Sequence, residues 1–273
     1  MEPTRILYIT QEISPFSPEN LVSNICRELP QFAQQKGYEI RIFMPCFGNI
    51  NERRNQLHEV QRLSGLNIII NESDHSLVIK VASIQAAKIQ VYFIDNYEFF
   101  NRKTMDKNER GLSFEDNDER SIFYIRGVLE TIKKLRWTPD IVHCHGWLSA
   151  IAPLFIKTAY NSDPFFRNSK VIYSLYKDEF ANELDKNLHK KLMLDGVKDS
   201  HVKNFKNSVP NWENITKLAI DFSDYVAEGV ENSKKDFEEY TKSKKKSFIP
   251  YSEDYKNVFY ELYQKIVPPQ KEE

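Results

Sequence analysis

The stretch Asp140-Ile-Val-His-Cys-His-Gly-Trp-Leu-Ser-Ala-Ile-Ala-Pro-Leu154 decides the fold. Ile141 to Cys144 is a short apolar run bounded by Pro139 and Gly146. From Trp147 to Tyr160 the apolar residues fall at 147, 148, 151, 154 and 155, which is helical spacing. The stretch predicts a buried strand, a tight turn and a helix, with His143, His145 and Trp147 at the turn. In an open parallel sheet, ligands bind outside the carboxyl ends of the strands, so this turn is a candidate site. The alternative is that one or both imidazoles only satisfy backbone groups beneath a loop.

Working outward, Arg5 to Thr10 is a β-rich apolar run expected as a central strand. A loop with two prolines follows, then a helix from Glu19 to Lys36, stopped by Gly37, and a second strand from Tyr38 to Met44. A β-α-β order with so long a connection implies parallel pairing. Leu66 to Ile70, Leu77 to Ile84 and Ile89 to Ile94 read as a meander or hairpins beside the main sheet. Lys103 to Asn117 reads as a mobile, charged surface loop, and Asp118 to Arg136 as the clearest helix, with acidic residues at its start. Lys170 to Tyr176 is another strand, and Asp178 to Ser208 a charged insertion over one end of the sheet. Helices at Trp212 to Phe222 and Asn232 to Tyr240 flank a short strand, Tyr225 to Ala227. Lys242 to Lys246 reads as a solvated linker before an amphipathic closing helix, Ser252 to Ile266. The fold class is α/β, with a mainly parallel sheet, helices on both faces, a hairpin or meander insertion and that closing helix.

Composition excludes several classes. Lys and Arg number 38 against 39 Asp and Glu, a formal charge of -1, so no bulk electrostatic case exists for nucleic acid or membrane. No apolar run reaches the ~18 residues of a membrane span, and the first residues lack the pattern of a secretory leader. Cys26, Cys46 and Cys144 are scattered without metal-ligand spacing and read as buried thiols of a reducing compartment, which implies a cytoplasmic protein. No Gly-X-Gly-X-X-Gly loop follows the first strand, and no Gly-X-Ser-X-Gly is present.

The ordered landmarks resemble the N-terminal half of bacterial glycogen and starch synthases. The match opens at Arg5-Ile-Leu-Tyr-Ile-Thr-Gln-Glu-Ile-Ser-Pro-Phe16, similar to the family's first strand and its Ser-Glu-X-X-Pro-Phe turn. It continues through Gly37-Tyr-Glu-Ile-Arg-Ile-Phe-Met-Pro45, Asp116-Asn117-Asp118-Glu119-Arg120 and the Asp140 to Leu154 segment, which resembles Asp-Ile-Val-His-X-His-Asp-Trp-His. Asn211-Trp212 and Asp221 to Val226 complete a set spanning about residues 4 to 240. The resemblance implies a Rossmann-like domain over residues 1–241, with residues 242–273 as a basic linker and a helix packing back on it. It further implies a retaining α-1,4-glucan glucosyltransferase that uses ADP-glucose or UDP-glucose as donor and no metal or other cofactor. His145 would be the surviving catalytic group, near the donor glucose, and Glu12, Trp147 and Asn117 would bind substrate.

The departures from the family pattern fall on the chemistry. Where the family has a Lys-Thr-Gly-Gly-Leu loop at the sugar-nucleotide site, this chain has Pro18, Glu19, Asn20, Leu21 and Val22. Pro18 removes a cation and an N–H, Glu19 adds a repelling charge, and Leu21 adds a side chain where backbone should approach the diphosphate. A hydrogen bond to a charged group contributes about 1.5–3 kcal/mol, so this loop costs several factors of ten in donor affinity. The family's Asp is Gly146 and its second His is Leu148; its strand ending in Thr-X-His-Asn reads Tyr173-Ser-Leu-Tyr-Lys177; its Val-Ser-Pro-X-Tyr is replaced by Glu228-Gly-Val-Glu-Asn232. The family's second domain, which carries most donor contacts, has no counterpart in the sequence and is expected to be missing. Two readings follow. One is a glucosyltransferase completed by a partner chain. The other is a non-catalytic glucan-binding or regulatory pseudoenzyme, with Trp147 or Trp212 exposed for stacking and a protein partner on the face left open.

Overall fold

The computed structural model describes residues 3–268, apart from residues 86, 181, 207, 232 and 234 and the side chain of residue 204. The strands are β1 (Arg5–Thr10), β2 (Glu39–Pro45), β3 (His58–Glu59), β4 (Leu66–Ile70), β5 (Ser73–Ile84), β6 (Ile89–Asp95), β7 (Ile141–His145), β8 (Lys170–Leu175), β9 (Tyr225–Glu228) and β10 (Ser247–Ile249). The helices are α1 (Leu21–Gln35), α2 (Tyr97–Phe100), α3 (Asn117–Lys134), α4 (Ala152–Lys157), α5 (Leu188–Lys191), α6 (Lys203–Lys206), α7 (Trp212–Phe222), α8 (Lys235–Ser243) and α9 (Tyr255–Ile266). Among the described residues the sheet runs β10-β9-β8-β7-β1-β2-β6-β5-β3, with β4 paired to β5 off this path. From β10 to β6 every pairing is parallel, and β5 turns antiparallel to β6, β4 and β3. This is the expected α/β architecture, with the antiparallel meander on one edge.

The parallel strands are buried on both faces and so read as continuous apolar runs rather than alternating ones. Ile6, Leu7 and Ile9 of β1 and Ile141, Val142 and Cys144 of β7 are wholly inaccessible. α1 and α9 pack together on one face, and α3, α4 and α7 cover the other. The Tyr124 hydroxyl of α3 lies 2.7 Å from the carbonyl oxygens of both Thr10 and Phe43, which ties that helix to the ends of β1 and β2. α1 starts where Asn20 and Ser23 form a reciprocal capping box.

Three expectations change. The helix read from Trp147 to Tyr160 is a 3-10 turn, Trp147–Ser149, followed by α4. Pro153 has no N–H to offer the Ser149 carbonyl, and it stands in the first turn of α4, where a helix tolerates proline best. The segment after Lys246 contributes β10, parallel to β9, because three residues are too few to show a period in sequence. The loop read as mobile is tied down: Arg102 grips both Asp116 oxygens at 2.6 Å, and Arg120 donates to Phe99 O and Met105 O. Asn232, where α8 was expected to begin, lies outside the described residues, as do positions 1, 2 and 269–273.

Candidate functional site

Strand order reverses between β1 and β7. From there one arm runs to β2 and β6 and the other to β8, β9 and β10. The parallel register aligns Thr10 with His145, His145 with Ser174, and Ser174 with Ala227. The residues just beyond these positions therefore gather at one rim, the topological switch point where open α/β sheets bind ligands. A cleft of about 350 Å³ opens there. Gln11 and Glu12 come from the end of β1, Tyr176 to Glu179 from the end of β8, and Val230 from beyond β9. Asn20, Leu21 and Val22 of the α1 N-terminus and Met105 and Asp106 of the tethered loop close it.

The two histidines do not open into this cleft. His143 is fully buried, with Nδ1 2.7 Å from the Tyr263 hydroxyl and Nε2 2.7 Å from Ser174 Oγ. His145 is 1% exposed; its Nδ1 lies 2.7 Å from the Tyr176 hydroxyl, and its Nε2 meets no partner among the described residues. The rings are 4.0 Å apart, and Phe259 of α9 covers His143 at 4.8 Å. Burial drives His145 down to about 3 and His143 well below its ordinary value, the latter also through repulsion from its neighbour. Both imidazoles are neutral at physiological pH. A group that protonates or polarises a substrate must touch it, and His145 is roofed by Tyr176.

The departures from the family pattern fit against one another in space. Gly146 has φ +81 and ψ 167, and a Cβ there would lie 2.2 Å from Gln11 Oε1, so the Gln11 side chain fills the room next to Gly146. Gln11 Oε1 also faces Leu148 N at 3.4 Å. A Cβ on Gly229 would lie 2.3 Å from the Tyr176 ring, so the tyrosine that roofs His145 needs a glycine beside it. Asp178 accepts from Trp147 N at 2.6 Å and from Trp212 Nε1 at 3.0 Å, and joins the β7 turn to α7. Of this set Gly146, Leu148, Tyr176 and Gly229 stood out in sequence as broken motif positions, and Trp147 and Trp212 as aromatic candidates; Asp178 carried no signal.

Glu12 lines the cleft and accepts from Asn20 Nδ2 at 2.6 Å. Trp147 is 1% exposed, with Phe180 at 4.9 Å, and Trp212 is 5% exposed, so neither indole is available to stack on a ligand. Asn117 is buried below: its Nδ2 donates to Asp106 O and its Oδ1 accepts from Arg120, which fixes the loop that carries Met105 and Asp106 into the cleft. Glu12 thus stands at the opening, and His145, Trp147 and Asn117 stand behind its walls.

Electrostatics set what the cleft accepts. Glu12, Asp106, Asp178 and Glu179 line it against Lys177 alone. Burial raises the carboxyls of Glu12 and Asp178 above the usual range, opposed by hydrogen bonds from Asn20 to the first and from Trp147 to the second. The α1 N-terminus, which would otherwise favour an anion, has Ser23 N–H taken by Asn20 and Leu21 half exposed in front of it. A diphosphate entering here meets net negative charge. Elsewhere, Cys46, Glu52 and Asp95 lie close enough to hold a cation, but the Lys80 ammonium sits 2.6 Å from Glu52 and 2.7 Å from Asp95.

A family model described as the starch synthase catalytic domain matches residues 5–236. The glycogen synthase of Pelodictyon phaeoclathratiforme (strain DSM 5477 / BU-1) is 36% identical over 173 residues, 63% of this chain and 35% of that protein. That of Chlorobium luteolum (strain DSM 273 / BCRC 81028 / 2530) is 34% identical over 194 residues, 71% of this chain and 40% of that protein. The chain thus spans well under half the length of these relatives. Among solved structures, the catalytic domain of starch synthase IV from Arabidopsis thaliana, bound to ADP and acarbose, superposes with a TM-score of 0.73 at 17% identity, over 91% of this chain and 51% of that one. That likeness shows the fold, and the family match shows the lineage: the chain belongs to the glycogen and starch synthases, through their starch synthase catalytic domain.

Proposed function

We propose that this chain is a non-catalytic member of its family, acting in the cytoplasm, whose switch-point cleft holds carbohydrate rather than a sugar nucleotide. The observation that carries the reading is the roof over His145: Tyr176 bonds its Nδ1, its ring is 1% exposed, and burial keeps it neutral. The acidic lining of the cleft supports the same conclusion for the donor, because the charges that should neutralise a diphosphate are reversed. No helix among the described residues is long and apolar enough to cross a membrane.

The test is calorimetric titration of one preparation with ADP-glucose, UDP-glucose and a maltooligosaccharide, with a glucosyl-transfer assay alongside. The expected result is weak binding of the oligosaccharide, no nucleotide binding in the micromolar range, and no transfer. Micromolar binding of either nucleotide with glucose added to the oligosaccharide sinks the proposal and restores a glucosyltransferase.

A further inference from the structure

The cleft carries a more specific chemistry than an emptied donor site. Its charge is net acidic, four carboxylates to one lysine: among the described residues none of Glu12, Asp106, Asp178 and Glu179 is ion-paired, although the chain pairs many of its other carboxylates with lysine or arginine. Asp178 spends both oxygens on Trp147 and Trp212, which leaves Glu12, Asp106 and the exposed Glu179 as the carboxylates able to receive a ligand. At the floor lies a second, independent feature. Gln11 is wholly buried, yet among the described residues its amide nitrogen closes no hydrogen bond of good geometry. It opposes the rise of the Glu12 and Asp178 carboxyls. A buried amide left this way is costly unless something in the cleft accepts its N–H. Leu21, Val22, Met105 and Val230 supply apolar wall, and Leu21 is 47% exposed. At about 350 Å³ the cleft lies at the lower end of small-ligand sites, roughly 300–1,000 Å³.

We infer that the cleft is a binding site for an amine-bearing carbohydrate, an amino sugar in its protonated form. The ammonium lies between Glu12 and Asp106, a ring or hydroxyl oxygen accepts from the Gln11 amide, and the C–H face of the sugar rests on Leu21, Met105 and Val230. A neutral sugar satisfies the last two requirements and leaves the carboxylates unpaired. A phosphorylated one meets repulsion. This inference rests on the non-catalytic reading of the site and names its ligand.

The test is calorimetry of the full chain with glucosamine, glucose, glucose 1-phosphate and ADP-glucose, at a pH where the amine is protonated. Glucosamine is expected to bind at least about tenfold more tightly than glucose, the gain of one charge-assisted hydrogen bond. Glu12→Gln and Asp106→Asn are each expected to bring the glucosamine-to-glucose affinity ratio, measured in the same variant, most of the way to one. Glucosamine binding no tighter than glucose overturns the inference, and so does a preference that survives both substitutions. If ADP-glucose binds instead, the non-catalytic reading falls with it. If neither nucleotide nor amine binds, only the inference does.

Discussion

Replacing Gly146 by alanine probes whether the altered motif positions form one unit. Its backbone, at φ +81 and ψ 167, lies in a region open essentially to glycine, and forcing another residue there costs about 1–3 kcal/mol. The new Cβ would also fall 2.2 Å from Gln11 Oε1 and 2.3 Å from its Cδ, and overpacking of this kind costs about 1–3 kcal/mol more. The single variant is therefore expected to lose about 2–6 kcal/mol. In a Gln11→Ala background the clash is gone and only the backbone strain of about 1–3 kcal/mol remains. A double-mutant cycle by urea denaturation should return a coupling of about 1–3 kcal/mol between the two positions. Additivity within about 0.5 kcal/mol would show that Gln11 does not occupy the space next to Gly146, and the co-adaptation described here would be wrong.

Two further outcomes follow from buried charge. His143 and His145 stay neutral when folded, while in the unfolded chain they take up protons near the ordinary value of 6.5, so stability is lost as pH falls below it. Between pH 6.5 and 5 each imidazole removes about 1.7 kcal/mol, or roughly 3 for the pair. The urea midpoint should drop across that window while the imidazole resonances of both residues hold their neutral positions, and titration of either ring above pH 5 refutes the burial argument. Lys191, 7% exposed, lies 2.8 Å from each of Asp118, Glu119 and Asp185, and Asp118 is fully buried. Lys191→Met should cost about 3–5 kcal/mol, with part recovered by adding Asp118→Asn; a loss under 1 kcal/mol would mean that water reaches Asp118.

What could be read from sequence follows from which interactions are local. α7 has the bounds its apolar period implies, and β1, β4 and β7 fall within a residue of theirs, because a buried run or a helical stripe is written in neighbouring residues. The break at Pro153 was also local, yet the strong apolar stripe on either side hid it. β10 depends on its partner β9 and left no pattern. At the site, the broken motif positions were visible one at a time. Their pairing was not: Gln11 with Gly146 and Tyr176 with Gly229 are contacts across 135 and 53 positions of chain. Trp147 and Trp212 look like free aromatic platforms in sequence, but Asp178 draws the Trp212 indole inward and holds the Trp147 backbone, while Phe180 packs against the Trp147 ring.

The contact between α9 and the centre of the sheet also bears on how the protein is made. Tyr263 lies 3.2 Å from the Tyr8 hydroxyl, 255 positions away, and 2.7 Å from His143, 120 positions away. While the chain is being synthesised, β1 and β7 can pair, but the polar atoms of Tyr8 and His143 stay exposed to water until residue 263 leaves the ribosome. Closing contacts so distant in sequence is slow, and the unfinished sheet presents an open face throughout. The polar atoms at the heart of the molecule are therefore sealed by an element that emerges long after β1 and β7, and a nascent chain stalled before α9 is a natural substrate for chaperones rather than a smaller version of the folded protein.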